Sequence, residues 1–171
     1  MKIDAEFDQV KYREYPFGTD FVWFALDRLG NIGAFITGGE GPVPLMALDV
    51  TLTSVTALEA IACDHAVQSD IEMVVTEDFN LESYLDLAKR GFFVFDWSDT
   101  IRPTTHTYNL IVRPQNPREI SSLCSELKSQ VEEIILDSNF SKIDTIDLTN
   151  SAMDFVWPNQ RVTTGVVFGQ K

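Results

Sequence analysis

Histidine, cysteine and carboxylate side chains are the groups that could do chemistry in this chain of 171 residues. It contains two histidines, His65 and His106, and two cysteines, Cys63 and Cys124. Their spacings match neither a CxxC pair nor a metal-ligand set, so we expect no zinc site. No GxSxG or SxxK motif frames a serine nucleophile. The sequence therefore predicts no catalytic residue, no metal and no cofactor, and the protein is not expected to be an enzyme.

Carboxylates are numerous, with 26 Asp and Glu against 13 Lys and Arg. Asp20, Asp27, Glu40 and Asp96 could meet and act as an acid–base pair, although among so many acidic residues some proximity arises by chance. The acidic stretch that starts at Asp70 lacks the spaced third ligand, the central Gly and the closing Glu of a calcium loop. We therefore expect the carboxylates to act through their charge.

The acidic residues are unevenly distributed. The net charge is −13, and residues 29–88 contain ten acidic residues and neither Lys nor Arg. A strongly negative protein is a poor ligand for nucleic acids and for anionic lipid, so we expect neither partner. The charge instead favours a basic protein partner, and the predicted interaction residues are Asp64, Asp70, Glu72, Glu77, Asp78 and Glu82. The competing interpretation is that these are solvated surface groups that keep the protein soluble.

Apolar and polar patterns predict an α+β fold in a single domain, residues 1–171. Two aromatic-rich segments, residues 21–26 and 32–36, flank a polar turn with Gly30 and Asn31 and predict a hairpin. Residues 92–97 and 105–113 predict a second antiparallel pair joined by an open loop. We therefore expect a mostly antiparallel sheet built from these two hairpins, with about three helices packed on it.

Three segments have helical patterns. Residues 54–67 combine a capping-box form at Thr56 and Glu59 with apolar residues at helical spacing. The second helix is predicted to be capped by Asn80 and ended by Gly91. The third is predicted to start at Asn116, with Pro117 in its first turn, and to carry one apolar stripe as far as Ile135. His65, at the end of the first stripe, is predicted to be a hydrogen-bonded residue at the edge of the core.

The Gly- and Pro-rich loop of residues 38–44, GGEGPVP, follows the first hairpin. It lacks the Lys-Ser/Thr pair of a phosphate-binding P-loop, so a structural turn is the favoured interpretation. The alternative function is that of a small hydrolase or ligand-binding domain that uses loop 38–44 and nearby carboxylates, with Asp27, Glu40 or His65 lining a pocket.

No basic-then-apolar signal region opens the chain, and no apolar run reaches the length of a membrane span, so we expect a cytoplasmic protein. Cys63 and Cys124 are predicted to be two buried thiols rather than a disulfide. The sequence leaves the oligomeric state open, with a homodimer as one alternative.

Several stretches together resemble a known family. They are FVWFALD at residues 21–27, residues 30–35, GGEGPVP at residues 38–44, AKRGFFVFDW at residues 88–97 and VRP at residues 112–114. This combination resembles a family of small uncharacterised bacterial proteins and spans about 100 of the 171 residues. The resemblance implies an immunity protein of a polymorphic toxin system, which neutralises a toxin by binding it. It assigns no functional residue.

Overall fold

The computed structural model describes residues 11–76, 80–97 and 106–158. Within these residues, three α-helices pack on a mostly antiparallel sheet, which confirms the predicted α+β class. The helices are α1 (Val55–Cys63), α2 (Glu82–Lys89) and α3 (Ser125–Glu133). The strands are β1 (Val22–Leu26), β2 (Ile32–Ile36), β3 (Val43–Pro44), β4 (Ile71–Met73), β5 (Phe93–Asp96), β6 (Thr107–Pro114), β7 (Thr145–Asp147) and β8 (Phe155–Val156).

The main sheet has the order β1-β2-β5-β6-β4, and β7 also pairs with β6. Both predicted hairpins are present, because β1 pairs with β2 and β5 pairs with β6, in each case antiparallel. They meet through a parallel pair, β2 with β5. A parallel pair needs a crossover connection, and the chain between β2 and β5 makes it with α1, β4 and α2. Most of the cation-free segment, residues 29–88, is therefore this crossover.

An aromatic ladder crosses the first three strands of the sheet order. Trp23 of β1 stacks on Phe35 of β2 with ring centroids 4.1 Å apart, and Phe35 stacks on Phe95 of β5 at 4.8 Å. The register explains the ladder, because Trp23 lies opposite Phe35 and Phe35 lies opposite Phe95. Tyr108 of β6 and Phe140 meet the Phe35 ring edge-on. All five side chains are fully buried, so they form the centre of the core.

The first two helices begin and end near their predicted positions. The helix α1 ends at Cys63, earlier than predicted, and Ser54 rather than Thr56 is its N-cap residue. Leu81 rather than the predicted Asn80 is the N-cap residue of α2, although the Asn80 side-chain oxygen accepts from the Glu82 N–H at 3.1 Å. Gly91 has a φ of +96°, which only glycine adopts without strain, and it ends α2 as predicted.

The predicted continuous third helix is wrong. Residues 120–122 form a single 3₁₀ turn, Cys124 is the N-cap residue of α3, and Asn116 caps nothing. Tertiary hydrogen bonds hold the preceding chain extended: the Arg118 N–H donates to the Gly91 carbonyl, and the Arg118 guanidinium donates to Ala66 and Arg90 carbonyls. The stripe therefore buries less than expected, and Ile135 is 52% exposed.

Candidate interaction surface

Loop 38–44 is a structural turn. The N–H groups of Gly39, Glu40 and Gly41 all donate to Thr37, so they are not free to hold a phosphate. The Tyr108 hydroxyl donates to the Pro42 carbonyl at 2.9 Å. A Cβ on Gly41 would lie only 2.6 Å from that hydroxyl oxygen, which explains the glycine. The buried hydrogen bonds support the structural interpretation of this loop.

Asp27, one of the carboxylates considered for acid–base work, is a buried acceptor. Its Oδ1 accepts from the N–H groups of Leu29 and Asn31, at 2.9 and 2.8 Å. Its Oδ2 accepts from the Asn31 side chain and from the Phe140 N–H, both at 2.8 Å. Four donors on two oxygens orient this carboxylate, which closes the β1–β2 turn and anchors residue 140 to it.

The predicted interaction residues that the structure describes lie on the surface, on three elements of the crossover. Asp64 caps the C-terminus of α1, Asp70 precedes β4, Glu72 is in the middle of β4, and Glu82 begins α2. All four are exposed. Glu72 faces Arg113 with 3.7 Å between the charged atoms, and Arg113 also pairs with Asp144 at 3.3 Å. Glu77 and Asp78 lie outside the described residues.

A second set of carboxylates comes together where the sequence did not predict one. They are Asp20 before β1, Glu59 on α1, Asp86 on α2 and Asp96 at the end of β5. The negative charges of Asp20 and Asp86 act on Glu59, and that of Asp20 also acts on Asp96. The Tyr84 hydroxyl donates to Asp96 at 2.9 Å. Only Asp86 has a cationic partner among the described residues, namely Arg90. We call these four residues the junction carboxylates.

Two of the junction carboxylates, Glu59 and Asp96, have raised pKa values. Burial raises the pKa of Glu59, with further contributions from Asp20 and Asp86. Burial also raises the pKa of Asp96, and the negative charge of Asp20 adds to this against the hydrogen bond from Tyr84. Burial raises the pKa of the Cys63 thiol to about 11, helped by Asp86, so this thiol is a weak nucleophile at neutral pH.

The raised pKa values predict a pH dependence of stability. The folded protein holds protons on Glu59 and Asp96 more tightly than the unfolded chain does, so these groups add stability at mildly acidic pH and lose it as pH rises through their folded pKa values. We expect the free energy of unfolding, measured with urea, to differ less between pH 7 and pH 5 in Glu59→Gln/Asp96→Asn than in the wild type. The exposed pair Glu132→Gln/Asp154→Asn is the control, and an unchanged difference in the first variant would contradict the assignment.

His65 joins the end of α1 to the start of α3. The Cys124 N–H donates to His65 Nε2 at 3.2 Å, so the ring proton is on Nδ1, which lies 3.1 Å from the Ile61 carbonyl oxygen. This confirms a hydrogen-bonded histidine at the core edge. Sequence reasoning missed its partner, because Cys124 is 59 positions away. Both cysteines are free and half-buried, so the prediction of thiols is confirmed, with less burial than expected.

An open cavity of about 310 Å³ lies beside this contact, lined by Ile61, Asp64, His65, Cys124 and Glu126. The pKa of Glu126 is lowered by its own N–H, then by the Ser125 hydroxyl and the Cys124 thiol. The thiol proton is thus shared with a carboxylate, and both His65 nitrogens are engaged by main-chain groups. His65 is therefore not available as a base for the thiol, and the cavity has room for a small ligand.

Arginine side chains that could neutralise the acidic surface are largely committed to the main chain. Arg13 donates to the carbonyls of Asp49, Val50 and Leu52, at 2.7 to 3.1 Å. Arg118, only 6% exposed, donates to two carbonyls and one hydroxyl. These two cations form no ion pair with the exposed carboxylates of the crossover, among which only Glu72 has a cationic partner within the described residues, namely Arg113.

The described residues contain neither a metal site nor a membrane-spanning helix, and the chain has no match among the known proteins compared with it. Within residues 11–76, 80–97 and 106–158, no three His, Cys, Asp or Glu side chains are placed to hold a metal ion. None of the described helices combines the length and the apolarity needed to cross a membrane. Comparisons with protein-family models, with curated proteins and with solved structures find no match.

Proposed function

We propose that this chain is a non-enzymatic, acidic binding protein that captures a basic protein partner, in the manner of an immunity protein that neutralises a toxin. The observation that carries the proposal is the crossover between β2 and β5. It brings the exposed carboxylates of Asp64, Asp70, Glu72 and Glu82 to the surface within a segment that has no Lys or Arg. A toxin that acts on nucleic acid is typically basic, because its substrate is a polyanion.

Uncompensated charge would act mainly on the rate of encounter. Complementary potentials steer diffusing partners together, and the effect weakens as salt screens it. Arg13 and Arg118 donate to main-chain carbonyls and form no ion pair with Asp64, Asp70, Glu72 or Glu82, so these carboxylates stay available to a partner's cations. The junction carboxylates add to the same net charge, and Asp86 lines one open cavity together with Glu82. An acidic surface of this kind would also compete with a polyanion for a basic cleft.

The experiment tests whether the neighbouring reading frame encodes a basic protein and measures the association of that protein with this chain over a series of salt concentrations. We expect a variant with four neutralised charges to associate about tenfold more slowly at low salt, and to approach the wild-type rate at high salt. The variant is Asp64→Asn/Asp70→Asn/Glu72→Gln/Glu82→Gln.

The matched control removes the same charge outside the crossover. It is Glu119→Gln/Glu132→Gln/Glu133→Gln/Asp154→Asn, at four exposed positions. An equal loss in both variants would indicate a general charge effect without a specific surface. Association rates that do not change with ionic strength, or a neighbouring protein that does not bind, would count against the proposal.

One observation favours a second candidate, the ligand-binding domain. The cavity of about 310 Å³ is lined by His65, one of the residues expected there under that alternative. Against it, both Asp27 oxygens already accept from four donors, and the N–H groups of Gly39, Glu40 and Gly41 donate to Thr37. A bulky substitution at Cys124, which lines the cavity and is not one of the proposed interaction residues, separates the two candidates. Loss of small-molecule binding with unchanged binding of the basic partner would show that the cavity and the acidic surface act independently.

A further inference from the structure

The strand β4 is the last strand of the main sheet and pairs with β6 on one side. The Gln115 N–H donates to the Asp70 carbonyl and the Val74 N–H donates to the Ile111 carbonyl, each at 2.9 Å. In an antiparallel ladder, alternate residues direct both main-chain groups to the same neighbour. Residues 70, 72 and 74 therefore face β6, and the N–H and C=O groups of residues 71 and 73 face away from it.

These outward groups form an open edge. Across the described parts of the chain, the main-chain N–H and C=O of Ile71 and Met73 have no hydrogen-bond partner. Met73 is 39% exposed, and Asp70 and Glu72 on either side of Ile71 are exposed as well. The edge thus offers two donors and two acceptors to an incoming extended chain, which is the main-chain pattern used in strand addition.

The charge around the edge selects the occupant. Asp70 and Glu72 lie within the cation-free segment. The cationic partner of Glu72, Arg113, also pairs with Asp144. A second copy of this chain paired along the same edge would bring like charges together, which is unfavourable. Acidic side chains on a short edge strand deter neutral or acidic strands, and the same side chains attract a basic one.

We propose that the free edge of β4 takes an extended, basic segment of the partner protein as an added strand. The inference rests on the proposed function and specifies how the partner is held. Main-chain hydrogen bonds from residues 71 and 73 give the pairing, and the carboxylates of Asp70 and Glu72 select Lys and Arg in the added strand.

The experiment uses the full chain and a synthetic peptide that alternates Lys or Arg with Val or Thr. Binding is followed by NMR through the amide signals of Ile71 and Met73. The control peptide has the same sequence with alternate main-chain nitrogens methylated, which keeps its charge but prevents strand pairing. We expect the first peptide to shift both amide signals and the methylated peptide to bind at least about tenfold more weakly.

The variant Met73→Pro removes an outward N–H without removing a bond to β6. We expect it to lose the peptide, while Met73→Val, which keeps the N–H, retains it. The methylated peptide on the wild-type protein decides the question even if the proline variant is unstable. Equal binding of both peptides, or no shift at these amides, overturns the inference. So does a concentration-dependent dimer that Met73→Pro abolishes, since the edge would then belong to a second copy.

The two proposals fail separately. If the partner binds Met73→Pro as tightly as the wild type and the four-charge variant still binds slowly, the result supports the acidic surface as the binding site and contradicts strand addition at β4. If the peptide pairs with β4 and the neighbouring basic protein does not bind, the edge is real and the proposed partner is wrong.

Discussion

Phe35→Ala is expected to lower the free energy of unfolding by about 4 kcal/mol, within the range found when buried aromatic residues are truncated to alanine. The Phe35 ring is fully buried and stacked between Trp23 and Phe95. Its removal leaves a cavity bounded by rigid rings on adjacent strands, and such a cavity collapses poorly. Urea unfolding followed by tryptophan fluorescence measures the change.

The control is Phe17→Ala, since Phe17 is 68% exposed. We expect this surface substitution to change the stability by no more than about 0.5 kcal/mol. A typical domain is stable by about 5 to 15 kcal/mol, so loss of Phe35 removes a large share of that stability. A loss of less than about 1 kcal/mol would show that the ladder is not the centre of the core.

Asp27→Ala is expected to lower the free energy of unfolding by about 3 kcal/mol, because it removes the acceptor of several hydrogen-bond donors at once. The Phe140 N–H is buried, so loss of the carboxylate leaves this donor without an acceptor. Asp27→Asn should cost less, since an amide oxygen can still accept from the Leu29 and Asn31 N–H groups. Asp154→Ala, at an exposed acidic residue, is the control.

Hydrogen exchange localises the effect of the Asp27 variants. We expect loss of protection at the amides of Asn31 and Phe140 in Asp27→Ala, beyond the general loss caused by lower stability. Unchanged protection at both, with unchanged urea stability, would contradict the role of this carboxylate as the anchor between the β1–β2 turn and residue 140.

Neither of these residues is expected to contribute to partner binding. Their side chains are buried at the centre of the sheet and beneath the first turn, whereas the proposed binding groups are exposed on the crossover. A partner-binding assay on a folded Asp27→Asn sample should therefore retain the wild-type salt dependence. This separates loss of the scaffold from loss of the surface in any set of variants.

Local patterns in the sequence were sufficient where the element depends on its own residues. The hairpin of β1 and β2 follows from two aromatic and β-branched runs around Gly30, whose φ is +82°. The end of α2 follows from Gly91. The third helix was predicted too long, because helical spacing cannot register the hydrogen bonds that Arg118 makes to chain segments far away in the sequence.

The sites depend on long-range contacts, and for that reason most of their geometry was not foreseen. Asp20 and Asp96 are neighbours only because β2 and β5 pair in parallel, which no local pattern specifies. The contact of His65 with Cys124 has the same origin. The strand β4 was not predicted, since it has only three residues, two of them exposed, and so short a segment has too little apolar periodicity to indicate a strand.

The sequence by itself determined the α+β class, the aromatic strands of the core and a long segment without a single cation, because these are properties of composition and of short-range spacing. Only the tertiary structure decided which carboxylates come close enough to interact, which are buried as hydrogen-bond acceptors and which strand has an open edge. Strand order and helix packing set those features, and both arise from contacts between residues that lie far apart along the chain.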